Sequence, residues 1–162
     1  MSQLSAQSIR KLCEGETPML SPFVNEKTVV NGTSFGLSAA SYDVRIGHDL
    51  RLYPKQSSLA HTLEDFHMPD NVVAYVVDKS TFARRFMSAF NTFIDAGFKG
   101  NLTLELVNLG DEVIDIKSGH PICQIVFHWL DEPTERPYNS KYQGQTKAAH
   151  GPRFENEDGT WK

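Results

Sequence analysis

The chain predicts a mainly β fold, a barrel or a sandwich, on three observations: many short strand-length runs, two small helical stretches and frequent turns. Its 162 residues suffice for a sizeable core and read as one domain over 1–162. Hydrophobic residues make up 40% and charged residues 22%, the balance of an ordinary soluble globular protein. No internal repeat or low-complexity segment interrupts it.

Taken in order, residues 5–14 read as a short helix, with Ile9, Leu12 and Cys13 on one apolar stripe and Gly15 as its stop. Residues 15–21 read as a loop before Pro22. Asn31-Gly32, inside TVVNGT, is a strong turn signal. Residues 38–53 then read as paired strand segments around Gly47-His48-Asp49. Tyr42, Val44 and Ile46 share one face there; Asp43 and Arg45 share the other, where pairing with neighbours across an interface is expected. Residues 54–70 are polar, with His61 and His67 but no metal spacing. They read as one long excursion, holding at most a short strand and ending at the Pro69-Asp70-Asn71 turn. VVAYVV at 72–77 is a continuous apolar run of strand length, predicted to be a buried strand.

Chemistry concentrates between Asp78 and Asn108. Asp78-Lys79-Ser80 breaks the apolar run, and Ser80 is a good N-cap for a short helix through Phe86, with Arg84 one turn on. Backbone N–H groups flanked by Lys79 and Arg84 make either an anion seat or an ordinary cap with solvated cations. IDAGFKG at 94–100 is turn chemistry, in which Asp95 can simply bond its own backbone. LTLELVN at 102–108 alternates: Leu102, Leu104 and Leu106 point one way, while Thr103, Glu105 and Val107 point the other. Glu105 therefore leaves the leucine face, as a merely solvated glutamate would also do. Residues 113–116 and 122–129 read as two more strands, with a Ser118-Gly119 turn between them and Pro121 at a strand start, where a missing donor is tolerated. From Asp131 the composition turns polar, the pattern of a disordered end. Residues 151–162 receive no assignment.

Composition bounds the partners. A net charge of −4 argues against a protein built to coat nucleic acid, so a phosphate site must be local, as around Lys79 and Arg84. Cys13 and Cys123 sit in no C-x-x-C pattern and read as reduced, structural thiols of a cytoplasmic protein. No apolar run approaches membrane-spanning length, the first residues are not a signal peptide, and no membrane partner is expected. The phosphate-loop and dinucleotide glycine patterns are both missing. So are zinc-spaced histidines and the H-x-E with P-C-x-x-C pattern, which excludes the usual zinc-dependent nucleobase deaminase chemistry.

The order K-S-T-x-A-R, I-D-x-G-F-x-G, T-L-E-L-x-N over 79–108 resembles the dCTP deaminase branch of the dUTPase superfamily. S-Y-D-V-R-I-G at 41–47 and P-Y-N…K-Y-Q-G-Q at 137–145 extend the resemblance to roughly residues 38–147. It implies a distorted β-barrel of the dUTPase-like (β-clip) type with short helices, assembled as a homotrimer whose active sites are made from neighbouring subunits. It implies Glu105 as the catalytic base, with Ser80 and Arg84 orienting the water and the glutamate. Lys79, Thr81 and Thr103 would bind substrate, and Asp95 would meet the deoxyribose. Tyr138, Lys141 and Gln145 belong to a tail, from about residue 131, that closes over the triphosphate. Backbone groups at 90–93 would read the base edge, and Mg2+ would ride on the triphosphate without a dedicated protein cage.

The implied activity is zinc-independent deamination of dCTP to dUTP and ammonia. Plain dUTPases lack a glutamate at the position of Glu105, whereas I-D-A-G-F-K-G is close to the bifunctional members. A dUTPase and a bifunctional dCTP-to-dUMP enzyme therefore stay open, with a non-catalytic nucleotide-binding regulator behind them. Two departures stand out. Lys79 occupies a common arginine position, which keeps the charge and gives up bidentate contact. Asn91 and Phe93 replace smaller or proline-containing residues in the base-reading hairpin.

Overall fold

Short alternating runs become strands throughout the computed structural model, which describes residues 2–90 and 92–160. In chain order the first elements are β1 (Ser2–Gln3), α1 (Ala6–Cys13), β2 (Leu20–Ser21), β3 (Thr28–Val30), β4 (Thr33–Leu37), β5 (Tyr42–Arg45), β6 (Leu50–Leu52) and β7 (Ser57–His67). The chain continues through β8 (Val72–Asp78), α2 (Ser80–Ala83), β9 (Met87–Ala89), β10 (Phe93–Ile94), β11 (Lys99–Asn108), β12 (Ile114–Ile116) and β13 (Pro121–Trp129). One sheet runs β10-β8-β13-β5-β4-β3, with β1 added on β13; a second runs β2-β7-β11-β9; β12 and β6 form a third. The mainly β expectation holds. The described strands pair as three sheets rather than one closed ring, and an Ile46–Thr62 bridge joins the end of β5 to β7.

The core lies between the two larger sheets, with Tyr42, Phe66, Leu104 and Phe127 fully buried. Helix α1 adds Ile9 and Cys13 from its apolar stripe and ends, as expected, before Gly15. Both cysteines are buried free thiols, and burial pushes Cys13 up to about 12. Asn31 and Gly32 both take positive φ, 49° and 75°, the backbone of a tight primed turn between β3 and β4. On β11 the three leucines are buried and each contributes roughly 1.5–3 kcal/mol, which holds the strand rigid beneath its other face.

Three expectations are corrected. β5 and β6 do not pair with each other: β5 lies between β4 and β13, and β6 pairs with β12. The Gly47 amide donates to the His61 carbonyl at 2.8 Å, which carries the chain across to β7 instead of back along β5. The stretch 54–70 is no loose excursion, since its 11-residue β7 is the longest described strand. Its buried face is Ala60, Thr62, Glu64 and Phe66, half polar, so no apolar alternation is visible. Finally, Asp43 and Arg45 find their partners inside the chain. Lys79 Nζ lies 2.6 Å from Asp43 Oδ2, and Arg45 Nε lies 2.7 Å from Glu64 Oε1. Glu64 is fully buried; desolvation pushes its pKa up against the pull of Arg45.

Candidate active site

The site is built where β10, the turn after it and β11 meet the tail. The turn closes with Phe98 N–H donating to Asp95 O at 3.2 Å, and Gly97 takes φ 85°. Close approach explains the glycines as much as turn geometry does. A Cβ on Gly97 would sit 2.6 Å from Pro137 Cβ, and one on Gly100 would sit 2.5 Å from the Gln145 carbonyl oxygen. Only glycine lets the tail lie this close.

Under the tail is a cavity of about 350 Å³. Thr92, Asp95, Thr103 and Glu105 line one side, together with apolar Leu59, Phe98 and Leu102. Tyr138, Tyr142, Gln145 and His150 line the other. Five residues expected at the site from sequence, Asp95, Thr103, Glu105, Tyr138 and Gln145, thus meet in one cavity. Asp95 makes no side-chain hydrogen bond among the described residues. The residue is exposed overall, yet the partial burial of its carboxyl pushes its pKa up. Glu105 is half-buried, and its Oε2 accepts a hydrogen bond from Thr92 Oγ1 at 3.0 Å. Two carboxylates, one aimed from a strand and one from a turn, can each hold a water.

The tail is laid against β11 instead of trailing from the fold. Gly144 N–H donates to Lys99 O at 2.9 Å, Asn101 N–H to Gln145 O at 3.1 Å, and Gly100 and Gln145 form a parallel bridge. Thr103 Oγ1 donates to Gln145 Oε1 at 2.8 Å and accepts from the His150 amide at 3.1 Å, so both polar side chains of this pair hold the tail. Tyr142 N–H donates to Tyr138 Oη at 3.1 Å, and Tyr138 packs edge-on to Phe98 with ring centroids 5.9 Å apart. Lys141 turns away from the cavity, its Nζ donating to Arg153 O at 3.0 Å.

The helix-start residues do not join this cavity. Helix α2 is a single turn whose cap is Lys79; Ser80 is its first residue, with no side-chain cap bond, and Phe86 already takes φ 61°. The expected Ser80-capped helix through Phe86 is therefore corrected. Lys79 is pulled inward by Asp43, and the chain must reverse to enter β9 at Met87. Lys79 is buried in that ion pair, whereas Ser80 and Thr81 stand exposed on α2 and Arg84 stands exposed at its C-terminal cap.

Sequence reasoning passed over Thr92, Leu59, His150 and the Gly151-Pro152 pair, all of which line the cavity. Leu59 lay on the strand that polar alternation concealed, and nothing local marks the other three. Phe93 is exposed at the cavity wall and meets Tyr75 edge-on at 5.0 Å. Asn91, singled out with it, lies outside the described residues. Among the described residues no three His, Cys, Asp or Glu side chains gather into a metal-ligating group, and no helix is long and apolar enough to cross a membrane.

Comparison with known proteins bears on the family and the fold. A dCTP deaminase-like family model matches residues 40–130. The dUMP-forming dCTP deaminase of Aquifex aeolicus is 34% identical over 170 residues, which covers 88% of this chain and 89% of that protein. Among solved structures, the 2'-deoxycytidine 5'-triphosphate deaminase of Agrobacterium tumefaciens matches with a TM-score of 0.61 at 18% identity, covering 77% of this chain and 46% of that one. The EIAV dUTPase matches with a TM-score of 0.52 at 19% identity, covering 61% of this chain and 82% of that one. These two likenesses bear on the fold, which is dUTPase-like.

Proposed function

This chain belongs to the dCTP deaminase-like family, and from that premise we propose that it hydrolyses dCTP to dUTP and ammonia without zinc, with Glu105 as the base. The observation that supports the reading is the Glu105 carboxylate, carried on the non-core face of a rigid strand and facing a cavity of about 350 Å³, a size that suits a small ligand. Water between Glu105 and ring C4 gives its proton to the carboxylate as its oxygen attacks. Glu105 passes this proton to the ring nitrogen, then carries the second one from the new C4 hydroxyl to the exocyclic amine, and the tetrahedral carbon expels ammonia as its C4=O forms. A positioned carboxylate in this role contributes about 10²–10⁴-fold.

Asp95 meets the deoxyribose from its turn, and the tail covers the phosphates with Tyr138 and Gln145. Mg2+ enters as part of the substrate, coordinated by phosphate oxygens and water. Ser80, Thr81 and Arg84 stand outside the cavity of their own chain. In the homotrimer we propose, α2 of a neighbouring subunit brings them to the substrate. Buried free thiols at Cys13 and Cys123 fit a reducing, cytoplasmic setting.

One observation favours a second step, from dUTP to dUMP and pyrophosphate. Asp95 lines the same cavity as Glu105, and burial raises its pKa, which suits it to accept a proton from a second water near the sugar. Incubation with dCTP and Mg2+, resolving dCTP, dUTP, dUMP, pyrophosphate and ammonia, tests both. Ammonia release is expected from wild type and lost in Glu105→Gln. If the second step occurs, Glu105→Gln still cleaves supplied dUTP and Asp95→Asn does not. Wild type that cleaves dUTP and never releases ammonia would make the protein a dUTPase.

A further inference from the structure

We infer that Thr92 is a positioning residue for Glu105, a hydroxyl switch that fixes one carboxylate oxygen and leaves the other to the attacking water. The inference rests on the reading of Glu105 as base. Thr92 Oγ1 lies 3.0 Å from Glu105 Oε2 and 3.1 Å from the carbonyl oxygen of Phe90. A threonine hydroxyl has a single proton, so it donates to one of these at a time and accepts through its lone pairs. Opposite an ionised Glu105 the proton goes to Oε2, since a bond to a charged acceptor is the stronger. Once Glu105 has taken the proton of water on Oε1, Oε2 is the carbonyl oxygen of a neutral acid and a weaker acceptor, and the threonine proton either stays on it or swings to Phe90 O. Both protonation states of the base are then satisfied without moving a heavy atom, and no atom or charge enters from outside.

The backbone holds this relay in register with Glu105. Phe90 N–H donates to the Glu105 carbonyl at 2.9 Å, so the acceptor at the far end of the switch is anchored to the residue it serves. On the other flank Thr92 O accepts from Val76 N–H at 3.1 Å, which ties the hydroxyl's own residue to β8. Oε2 is thereby engaged on its Thr92 side, whereas Oε1 makes no hydrogen bond among the described residues. Thr92 is β-branched, which restricts its χ1 and narrows the positions its hydroxyl can take.

The test separates a positioning role from packing. Thr92→Val keeps the branched shape and removes the proton; Thr92→Ser keeps the proton and removes the methyl. In single-turnover and steady-state deamination of dCTP, Thr92→Val is expected to lower kcat about 10- to 100-fold, the worth of a hydrogen bond to a charged group. Its KM should change little, and Thr92→Ser should return kcat to within roughly threefold of wild type. Equal loss in valine and serine variants, or a rise in KM and a fall in Tm that account for the loss, would make Thr92 a packing residue and overturn the inference. Thr92→Val at wild-type kcat would overturn it too. Failure of the underlying reading looks different: wild type then releases no ammonia, or Glu105→Gln remains active whatever stands at position 92.

Discussion

The turn at Asp95 and the helix start at Ser80 carried equally plain motifs, yet they end in opposite circumstances. Around Asp95 and Glu105 the chain closes on itself, with strand, turn and tail forming one cavity. Around Ser80 it presents a single exposed helical turn, and the one cation buried there, Lys79, serves Asp43 inside the fold. A motif names residues; the partner of each side chain decides where its chemistry is used. On the reading we propose, part of the machinery gathers within one chain and the rest faces outward, where a second copy is the occupant.

The sharpest way to break this contrast is complementation. Glu105→Gln and Arg84→Ala should each be inactive or nearly so, by about 10²–10⁴-fold for the base. Mixed under conditions that let subunits exchange, the two should regain activity, because some sites then combine an intact Glu105 with a neighbour's intact Arg84. No recovery, despite demonstrated exchange, would place both residues in the service of one chain.

Lys79 gives the next largest effect. Lys79→Met leaves Asp43 buried without a cation, only Gln124 Nε2 still donating to it at 3.3 Å, and should cost about 3–5 kcal/mol of folding stability, read by denaturant titration. An unchanged midpoint with a raised KM for dCTP would instead return Lys79 to the substrate. Third, ending the chain before Pro137 removes Tyr138, Tyr142 and Gln145 from the cavity and should raise KM at least about tenfold, as lost hydrogen bonds of ordinary strength require. Unchanged kinetics would show the tail to be dispensable.

The smallest effect is a pH slope. Burial, then His48, His150 and Lys147, hold the His61 pKa below its ordinary 6.5. The unfolded chain therefore binds the proton more readily than the native one. The stability tied to His61 is complete above about pH 6.5 and declines as pH falls through that value toward the native pKa. His61→Gln should flatten this part of the curve. An unaltered slope would assign it elsewhere, His67 being the other histidine with a depressed pKa.

Legibility followed the range of the interaction. β11 could be read because its two faces differ residue by residue, and the turns at Asn31-Gly32 and Ser118-Gly119 because glycine announces a local backbone need. β7 could not, since its inward Thr62 and Glu64 are satisfied by partners far off in sequence. Thr62 Oγ1 accepts from Leu102 N–H at 3.0 Å, and Glu64 pairs with Arg45. The same holds at the site. Asp95 and Glu105 were legible as types at a spacing, whereas the Thr92 hydroxyl and the cover supplied by His150 depend on where the folded chain returns.

That return has a bearing on solubility. β7 covers one edge of β11 along nearly its whole length, but β9 covers the other only at Leu106, Val107 and Asn108. At the Lys99 end, the backbone groups left open by β9 are those to which Gly144 and Gln145 bond. An uncovered edge of this kind is a template on which another molecule can add a strand. The segment that shuts the cavity is also the guard of a sticky border, and losing it exposes the protein to edge-to-edge association while its core remains intact.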